Sequence, residues 1–289
     1  MWVDFRPKAE GKGTGMSIGM DHLVIGLVTI AYGAGAILVT YRQLRGQHEA
    51  SLLGWWLVAL GFLIHLGSLS SVLIVQKGQV AFNLTTSLEF VSLAVALLYL
   101  GSCRVPRLEV PTSGIVVLPM LALSVLASRI LPHAHGNEIL TINSPVFIAH
   151  LVLSLLAYGL LTIAAIFALM DAFQDHALRS KHFGRLFDFL PPLYRLETTL
   201  YHMVKVGFGL LTLSIISGGV YSWQQHGTPF AFSHKVMFTW ATWLSLVALF
   251  VGRYYRGWRG VKGARFILLG YMFLVLAFFG VKFVREYIL

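Results

Sequence analysis

The most informative stretch of this chain for its fold is PVFIAHLVLSLLAYGLLTIAAIFALMD, residues 145–171. The run is apolar almost throughout and carries no charged residue before Asp171. A helix needs about 20 mostly apolar residues to cross a bilayer, and this run is longer than that. Continuous apolarity also excludes a membrane β-barrel, because barrel strands alternate in polarity. Residues 145–171 therefore predict a membrane-spanning helix.

Further apolar runs of similar length lie on both sides of this one. They cover residues 21–41, 52–75, 83–102, 113–131, 203–223, 235–252 and 264–284. Because lipid offers no hydrogen bonds to an unpaired backbone, each of these runs must be helical. The sequence thus predicts an all-α, polytopic membrane helix bundle with about eight transmembrane helices.

The composition excludes a water-soluble domain. Hydrophobic residues make up 57% of the chain and charged residues 12%, whereas a soluble domain carries about 25% charged residues. The same figures exclude intrinsic disorder, which requires low hydrophobicity. The single cysteine, Cys103, leaves no intrachain disulfide, no CxxC pair and no CxxCH site for covalent haem.

The formal charge of +10 predicts the orientation of the bundle. Fourteen of the 22 lysines and arginines lie in the loops after the first, third, fifth and seventh spans or, for Lys205, at the start of the sixth. Positive residues gather on the cytoplasmic side of a membrane. We therefore expect those loops in the cytoplasm and both termini outside, and we attribute the charge to topology, with no nucleic-acid partner.

Segments outside the spans carry two further expectations. Residues 1–20 have mixed charges, and we expect an N-terminal extension that is a candidate for being dispensable, before the first four helices within 21–131. Near 178–190, apolar residues recur at helical spacing and basic residues flank them, which predicts an amphipathic helix on the inner leaflet. That segment serves either as a structural belt or as a partner-docking site.

Ionisable residues inside the spans are the candidates for function, because burying them in a membrane is costly. His65 lies in the middle of the second span, Glu89 in the third and His150 in the fifth, and His234 begins the seventh. Each has a structural alternative, since a buried polar side chain also bonds a neighbouring helix. Glu89 either forms such a pair or carries a proton.

His150 has the most informative surroundings. His150, Ser154 and Tyr158 recur at a spacing of four residues and form one polar stripe on an apolar helix. A ligating imidazole needs its second nitrogen hydrogen-bonded, and a hydroxyl one turn away is a candidate partner. His234 is a candidate for the same outer pocket, where aromatic residues would wall a flat cofactor such as haem.

Four short sequence motifs follow one another in the second half of the chain, and their order is informative. They are HLVLSLLAY at 150–158, PPL at 191–193 with Leu196 and Glu197, residues 207–213 with Gly218, and Lys235 and Trp243 with GWRG at 257–260. In these stretches the chain resembles the cytochrome c assembly (CcsA/CcmC/HemX-type) membrane family, and is most similar to its eight-helix YpjD-like branch. The resemblance implies a cytochrome c assembly-like region over 132–289.

The resemblance also implies haem handling at the outer face of the bacterial cytoplasmic (inner) membrane. It gives His150 as a ligand of a non-covalent b-type haem, with His234 and His65 as our further candidates and Glu89 in support. The tryptophan-rich WWD segment is missing, and of the four family histidines only the His150 position carries over. We therefore expect no complete cytochrome c synthase and no enzyme.

The first functional hypothesis is a haem-binding or haem-handling protein that assists cytochrome c maturation or haem homeostasis, with proteins of those pathways and the lipid bilayer as its partners. A second is a HemX-like, non-haem regulator or scaffold of tetrapyrrole synthesis. A third is a proton-coupled transporter of small solutes or ions that uses Glu89 and His65 as a relay.

Overall fold

Long helices follow the apolar runs in the computed structural model, which describes residues 14–45, 51–75, 79–81, 83–105, 108, 110–131, 139–141, 144–181, 192–229 and 233–288. The helices are α1 (Thr14–Leu44), α2 (Leu52–Val75), α3 (Leu84–Ser102), α4 (Val110–Ile130), α5 (Pro145–Ser180), α6 (Leu193–His226), α7 (His234–Arg256), α8 (Val261–Val275) and α9 (Val281–Tyr287). A π-helical turn, Leu276–Gly280, joins α8 to α9. Within these ranges eight helices are long and apolar enough to span a membrane, α8 and α9 counting as one. The predicted all-α polytopic fold is confirmed.

The helices form two groups that meet at α5. In the first group α1 packs against α2 and α4, and α3 packs against α4; in the second, α5 packs against α6 and α8, and α7 packs against α8. Contacts between α3 and α5 join the groups. Of the apolar window of α5, 67% is buried within the protein, whereas the other spans reach at most 50%. The helix with the most continuous apolar sequence is therefore the centre of the bundle.

A short β-ribbon connects two loops at one end of the bundle. Strand β1 (Gln79–Ala81) pairs antiparallel with β2 (Ile139–Thr141), with Val80 opposite Leu140. These loops follow the second and fourth spans, and the loop charges predict that both are external. Nothing in the sequence predicted strands as short as three residues.

Helices α5 and α6 extend well beyond their apolar runs at the end of the bundle predicted to be cytoplasmic. Helix α5 continues beyond residue 171 to Ser180, and α6 begins at Leu193 rather than near residue 203. The extensions carry Asp175 and Glu197, which a search for apolar residues alone leaves out. Residues 178–180 of the predicted amphipathic helix belong to α5, and residues 182–190 lie outside the described part of the chain, as do residues 1–13 of the predicted extension.

Candidate functional site

A cavity of about 340 Å³ opens among the second group of helices, at the end of the bundle predicted to be external. Its wall comes from the first half of α5, the second half of α6, the start of α7 and the end of the eighth span. The principal lining residues are Phe147, His150, Ser154, Tyr158, Ser214, Gly218, Ser222, Lys235, Thr239, Trp240, Phe278 and Lys282. The volume lies within the range of about 300–1,000 Å³ that is typical of small-molecule sites.

The hydrogen bond of His150 determines which of its ring nitrogens can act as a ligand. Nδ1 lies 2.8 Å from the backbone carbonyl oxygen of Ser214 on α6, and 3.4 Å from the hydroxyl of Ser217. A carbonyl oxygen only accepts, so Nδ1 of the neutral ring carries the proton and donates it. Nε2 then keeps its lone pair, which is the arrangement that metal-binding histidines use.

Gly218 makes this position of the ring possible. A Cβ atom at Gly218 would lie 2.8 Å from Cε1 and 3.0 Å from Nδ1 of His150. The imidazole therefore packs directly on the backbone of α6, where a larger residue would push it away. This contact explains why a glycine follows Ser214 by one helical turn.

The polar stripe predicted on α5 does line the cavity, although its members do not bond one another as expected. The Ser154 hydroxyl donates to the carbonyl of Leu151 at 2.9 Å, so His150 is oriented from α6 and not by its own helix. Tyr158 is buried deeper, where its ring centroid lies 5.4 Å from that of Phe278 and 5.6 Å from that of Phe279. Aromatic rings thus form the inner wall of the cavity.

Two lysines bring positive charge to the cavity. Lys235 lies in the first turn of α7, which begins after the capping residue Ser233. Lys282 is only 6% exposed, and its ammonium group donates to the carbonyl of Asn83 at 3.5 Å and to the hydroxyl of Ser87. Lys282 therefore connects the second helix group to the start of α3.

Two of the predicted ligand residues do not reach the cavity. His234 is the first residue of α7 and is exposed, and it is absent from the lining, although its neighbours Ser233 and Lys235 take part. His65 is buried in α2, where Nδ1 lies 3.5 Å from the hydroxyl of Tyr32 on α1. Helix α2 packs against α1 and α3, so its position in the bundle separates His65 from His150.

Glu89 also belongs to the first helix group. Its carboxylate pairs with Arg129 of α4 at 3.3 Å and accepts a hydrogen bond from Ser128 at 3.1 Å. The described lining of the cavity includes no residue of α1 to α4. Glu89 therefore joins α3 to α4, and the polar residues predicted within the spans fall into two separate places.

Charged residues of the sequence motifs meet at the opposite end of the bundle. Glu197 of α6 binds Arg253 of α7 at 2.9 Å and lies 3.7 Å from Arg259. The guanidinium of Arg253 also stacks 3.4 Å from the centroid of Tyr201. Trp258 packs over Gly252, where a Cβ atom would collide with its ring. These contacts tie α6, α7 and the loop before α8 together.

Comparison with known proteins identifies relatives of this chain. The family described as cytochrome C assembly protein matches residues 47–289. The inner membrane protein YpjD of Escherichia coli strain K12 is 31% identical over 179 residues, which cover 61% of this chain and 66% of YpjD. The cytochrome c biogenesis protein CcsA of Prochlorococcus marinus strain AS9601 is 26% identical over 70% of this chain and 72% of its own length.

A 28.8 kDa protein of Azospirillum brasilense extends the similarity across both helix groups. It is 28% identical over 273 residues, which cover 93% of this chain and 99% of that protein. The family match covers well over half of the chain, and it confirms the resemblance found in the sequence motifs. This chain therefore belongs to the cytochrome c assembly protein family.

Proposed function

We propose that this chain is a haem-binding or haem-handling protein of the bacterial inner membrane, which assists cytochrome c maturation or haem homeostasis. It binds and presents the cofactor in the cavity at the outer end of α5 to α8, and it catalyses no turnover of its own. The family membership supports the pathway, and the eight spans together with the similarity to an inner membrane protein support the location.

One observation carries the proposal: the imidazole of His150 lines the cavity with Nδ1 bonded to the carbonyl of Ser214 at 2.8 Å. That bond fixes the tautomer and the ring plane, and it leaves the lone pair of Nε2 available to a metal. Among the described residues, Nε2 has no hydrogen-bond partner that would compete for its lone pair. The ring is thus prepared for ligation before any ligand enters.

The residues of the cavity suit a flat, largely apolar cofactor. Tyr158, Trp240 and Phe278 supply aromatic walls, and Leu211 and Leu274 supply aliphatic ones. Haem bound here would supply an iron centre, for which the imidazole of a histidine is a suitable ligand. The single cysteine, Cys103, follows the end of α3 and is not among the described residues that line the cavity, which favours a non-covalent, b-type haem. His150 would hold the iron, and the rings would exclude water from the macrocycle.

Haem titration of the full chain in a mild detergent tests the proposal. We expect a Soret band that saturates with added haem in the wild type. His150→Ala should lower the affinity by at least about tenfold, because loss of a ligand costs no less than loss of a hydrogen bond that orients it. His234→Ala is the matched control, since His234 is exposed and lies outside the lining, and it should bind as the wild type does. A wild type that stays colourless, or a His150→Ala variant that binds equally well, would refute the proposal.

The two alternatives from the sequence gain no specific support among the described residues. A scaffold role depended on the segment near 178–190, of which residues 182–190 lie outside the described part. A transport relay depended on Glu89 and His65, and the structure gives Glu89 the partner Arg129 and His65 the neighbour Tyr32. We therefore keep haem handling as the proposed function.

A further inference from the structure

The charge on the wall of the haem cavity has one sign. Of the lining residues that the structure describes, only Lys235 and Lys282 carry a full charge, and no aspartate or glutamate is among them. The rest of the wall consists of apolar, aromatic and hydroxyl-bearing side chains with His150. A ligand that complements this wall has a large apolar body and a negatively charged edge.

Both ammonium groups are arranged around one aromatic ring. Nζ of Lys282 lies 5.1 Å from the centroid of Phe278, and Nζ of Lys235 lies 6.0 Å from the same centroid. An anion that approaches this ring would be attracted by both ammonium groups. The geometry therefore concentrates positive charge at one edge of the cavity.

The helix geometry explains how a lysine so deeply buried reaches this edge. A π-helical turn, Leu276–Gly280, interrupts the eighth span directly before α9. Such a turn inserts one extra residue, which changes the direction of the side chains that follow, and it occurs frequently at functional sites. Ala277 and Phe278 within the turn and Lys282 beyond it all line the cavity.

The position of α7 adds to the positive potential. Lys235 lies in the first turn of that helix, and the N-terminal end of a helix carries a partial positive charge. Lys235 is an exposed residue of the cavity wall, whereas Lys282 is buried and donates hydrogen bonds to Asn83 and Ser87. The wall therefore offers one buried and one exposed ammonium group.

We propose that Lys282 and Lys235 form a carboxylate-binding edge, so that the cavity selects tetrapyrroles whose peripheral carboxylates are free. This inference rests on the proposed haem function and extends it. His150 would bind the iron, and the two lysines would bind the negatively charged carboxylates of the same molecule. Charge-assisted hydrogen bonds from ammonium to carboxylate would set both the orientation and the depth of the ligand.

The test compares haem with its dimethyl ester, in which both carboxylates are blocked and the macrocycle and iron are unchanged. The purified full chain should bind haem about tenfold or more tightly than the ester, because charge-assisted hydrogen bonds are lost with the ester. The variants are Lys282→Gln, Lys235→Gln and the double substitution. Each should lower the affinity for haem and leave the affinity for the ester as it was.

Three controls separate this edge from the metal ligand and from folding. Lys262→Gln, at an exposed lysine outside the lining, should keep the wild-type preference. Lys282→Arg keeps the charge and should restore part of the preference. Metal-free protoporphyrin, followed by quenching of tryptophan fluorescence, should show the same preference for the free acid in His150→Ala, because no iron is present to ligate.

The outcomes are distinct. Equal binding of haem and its ester by the wild type, or a preference that survives in the double variant, would overturn the carboxylate-binding edge and leave the haem function standing. A wild type that binds neither compound would overturn both. If Lys282→Gln does not fold, the wild-type comparison of acid and ester and the exposed variant Lys235→Gln still decide the question.

Discussion

At the scale of single residues, His150 and Gly218 depend on each other, because the ring of one occupies the space that a side chain on the other would need. A Cβ atom at Gly218 would approach Cε1 of His150 to 2.8 Å. The glycine therefore contributes to the site without offering any chemical group. Its role is to let the imidazole reach the carbonyl of Ser214.

We expect Gly218→Ala to weaken haem binding by about tenfold, since loss of an orienting hydrogen bond to a metal-ligating histidine costs about that much. Gly209→Ala is the matched control on the same helix, because a Cβ atom there has nothing within 4 Å. Haem titration of both variants checks the expectation. Equal affinities for the two would show that the position of the His150 ring does not depend on Gly218.

The sequence indicated His150 as a candidate ligand, but it did not reveal which group accepts the hydrogen bond from its ring. A backbone carbonyl is the same group at every position, so no residue type marks Ser214 as the acceptor. The expected partner, Ser154, has the right spacing and a suitable hydroxyl, but it donates to Leu151 instead. Serines inside helices commonly bond the preceding turn in this way.

Cys103 at the end of α3 gives a prediction with a pH dependence. Burial raises the pKa of the Cys103 thiol to about 12, and the neighbouring Arg104 opposes the rise only in part. The thiolate is the reactive form. With a pKa of about 12, about one Cys103 thiol in ten thousand is ionised at pH 8. We expect very slow labelling by maleimide in the folded protein, with a rate that rises about tenfold for each pH unit between 7 and 10.

The comparison is a variant that carries Cys103→Ser together with Thr228→Cys, because Thr228 is exposed. Its labelling should be fast and should level off above pH of about 8.5, the ordinary pKa of a cysteine. Rates for Cys103 that match this exposed cysteine would mean that the end of α3 is open to solvent.

At the scale of elements, the charged cluster around Glu197 holds the predicted cytoplasmic ends of α6 and α7 together. The Glu197 carboxylate, 15% exposed, bonds Arg253 at 2.9 Å, and Arg259 lies nearby. We expect Glu197→Gln to lower the free energy of unfolding by about 1–3 kcal/mol, between the values for exposed and buried pairs. Thermal unfolding of both proteins in a mild detergent measures this loss of stability.

Arg256→Gln serves as the control for that variant, because Arg256 is exposed at the end of the same helix α7. It should unfold near the wild-type temperature. The double substitution Glu197→Gln with Arg253→Gln should be less destabilised than the sum of the single ones. A stability of Glu197→Gln equal to that of Arg256→Gln would mean that the cluster adds nothing.

The sequence predicted which elements exist far better than where they end. Apolar runs identify the lipid-facing part of each helix, so all eight spans were found. The same runs miss the ends of α5 and α6, because helical residues such as Asp175 and Glu197 lie beyond the lipid. The π-helical turn at Leu276–Gly280 was not predicted either, since its residues are as apolar as the α-helix around them.

At the scale of the whole molecule, the orientation of the bundle in the membrane determines which side of the membrane the cavity faces. The eight spans among the described residues bring the start of α1 and the end of α9 to one side, and the loop charges predict that this side is external. The cavity, the β-ribbon and the start of α7 then lie on the outer side, and the Glu197 cluster lies on the cytoplasmic side. A haem-presenting role at the outer face requires this arrangement.

Single cysteines in a Cys103→Ser background test the orientation. We expect a membrane-impermeant maleimide to label Thr228→Cys in intact spheroplasts and to label Arg256→Cys only after permeabilisation, since both positions are exposed at opposite ends of the bundle. The reverse pattern would place the cavity on the cytoplasmic side.

We propose above all that the imidazole of His150 is the ligand that the cavity offers to haem iron. Chemical rescue tests this: the absorption spectrum of haem bound to His150→Gly is recorded before and after addition of free imidazole. We expect His150→Gly to lose the wild-type spectrum and free imidazole to restore it, while His234→Gly needs no rescue. A His150→Gly protein that keeps the wild-type spectrum without imidazole would contradict it.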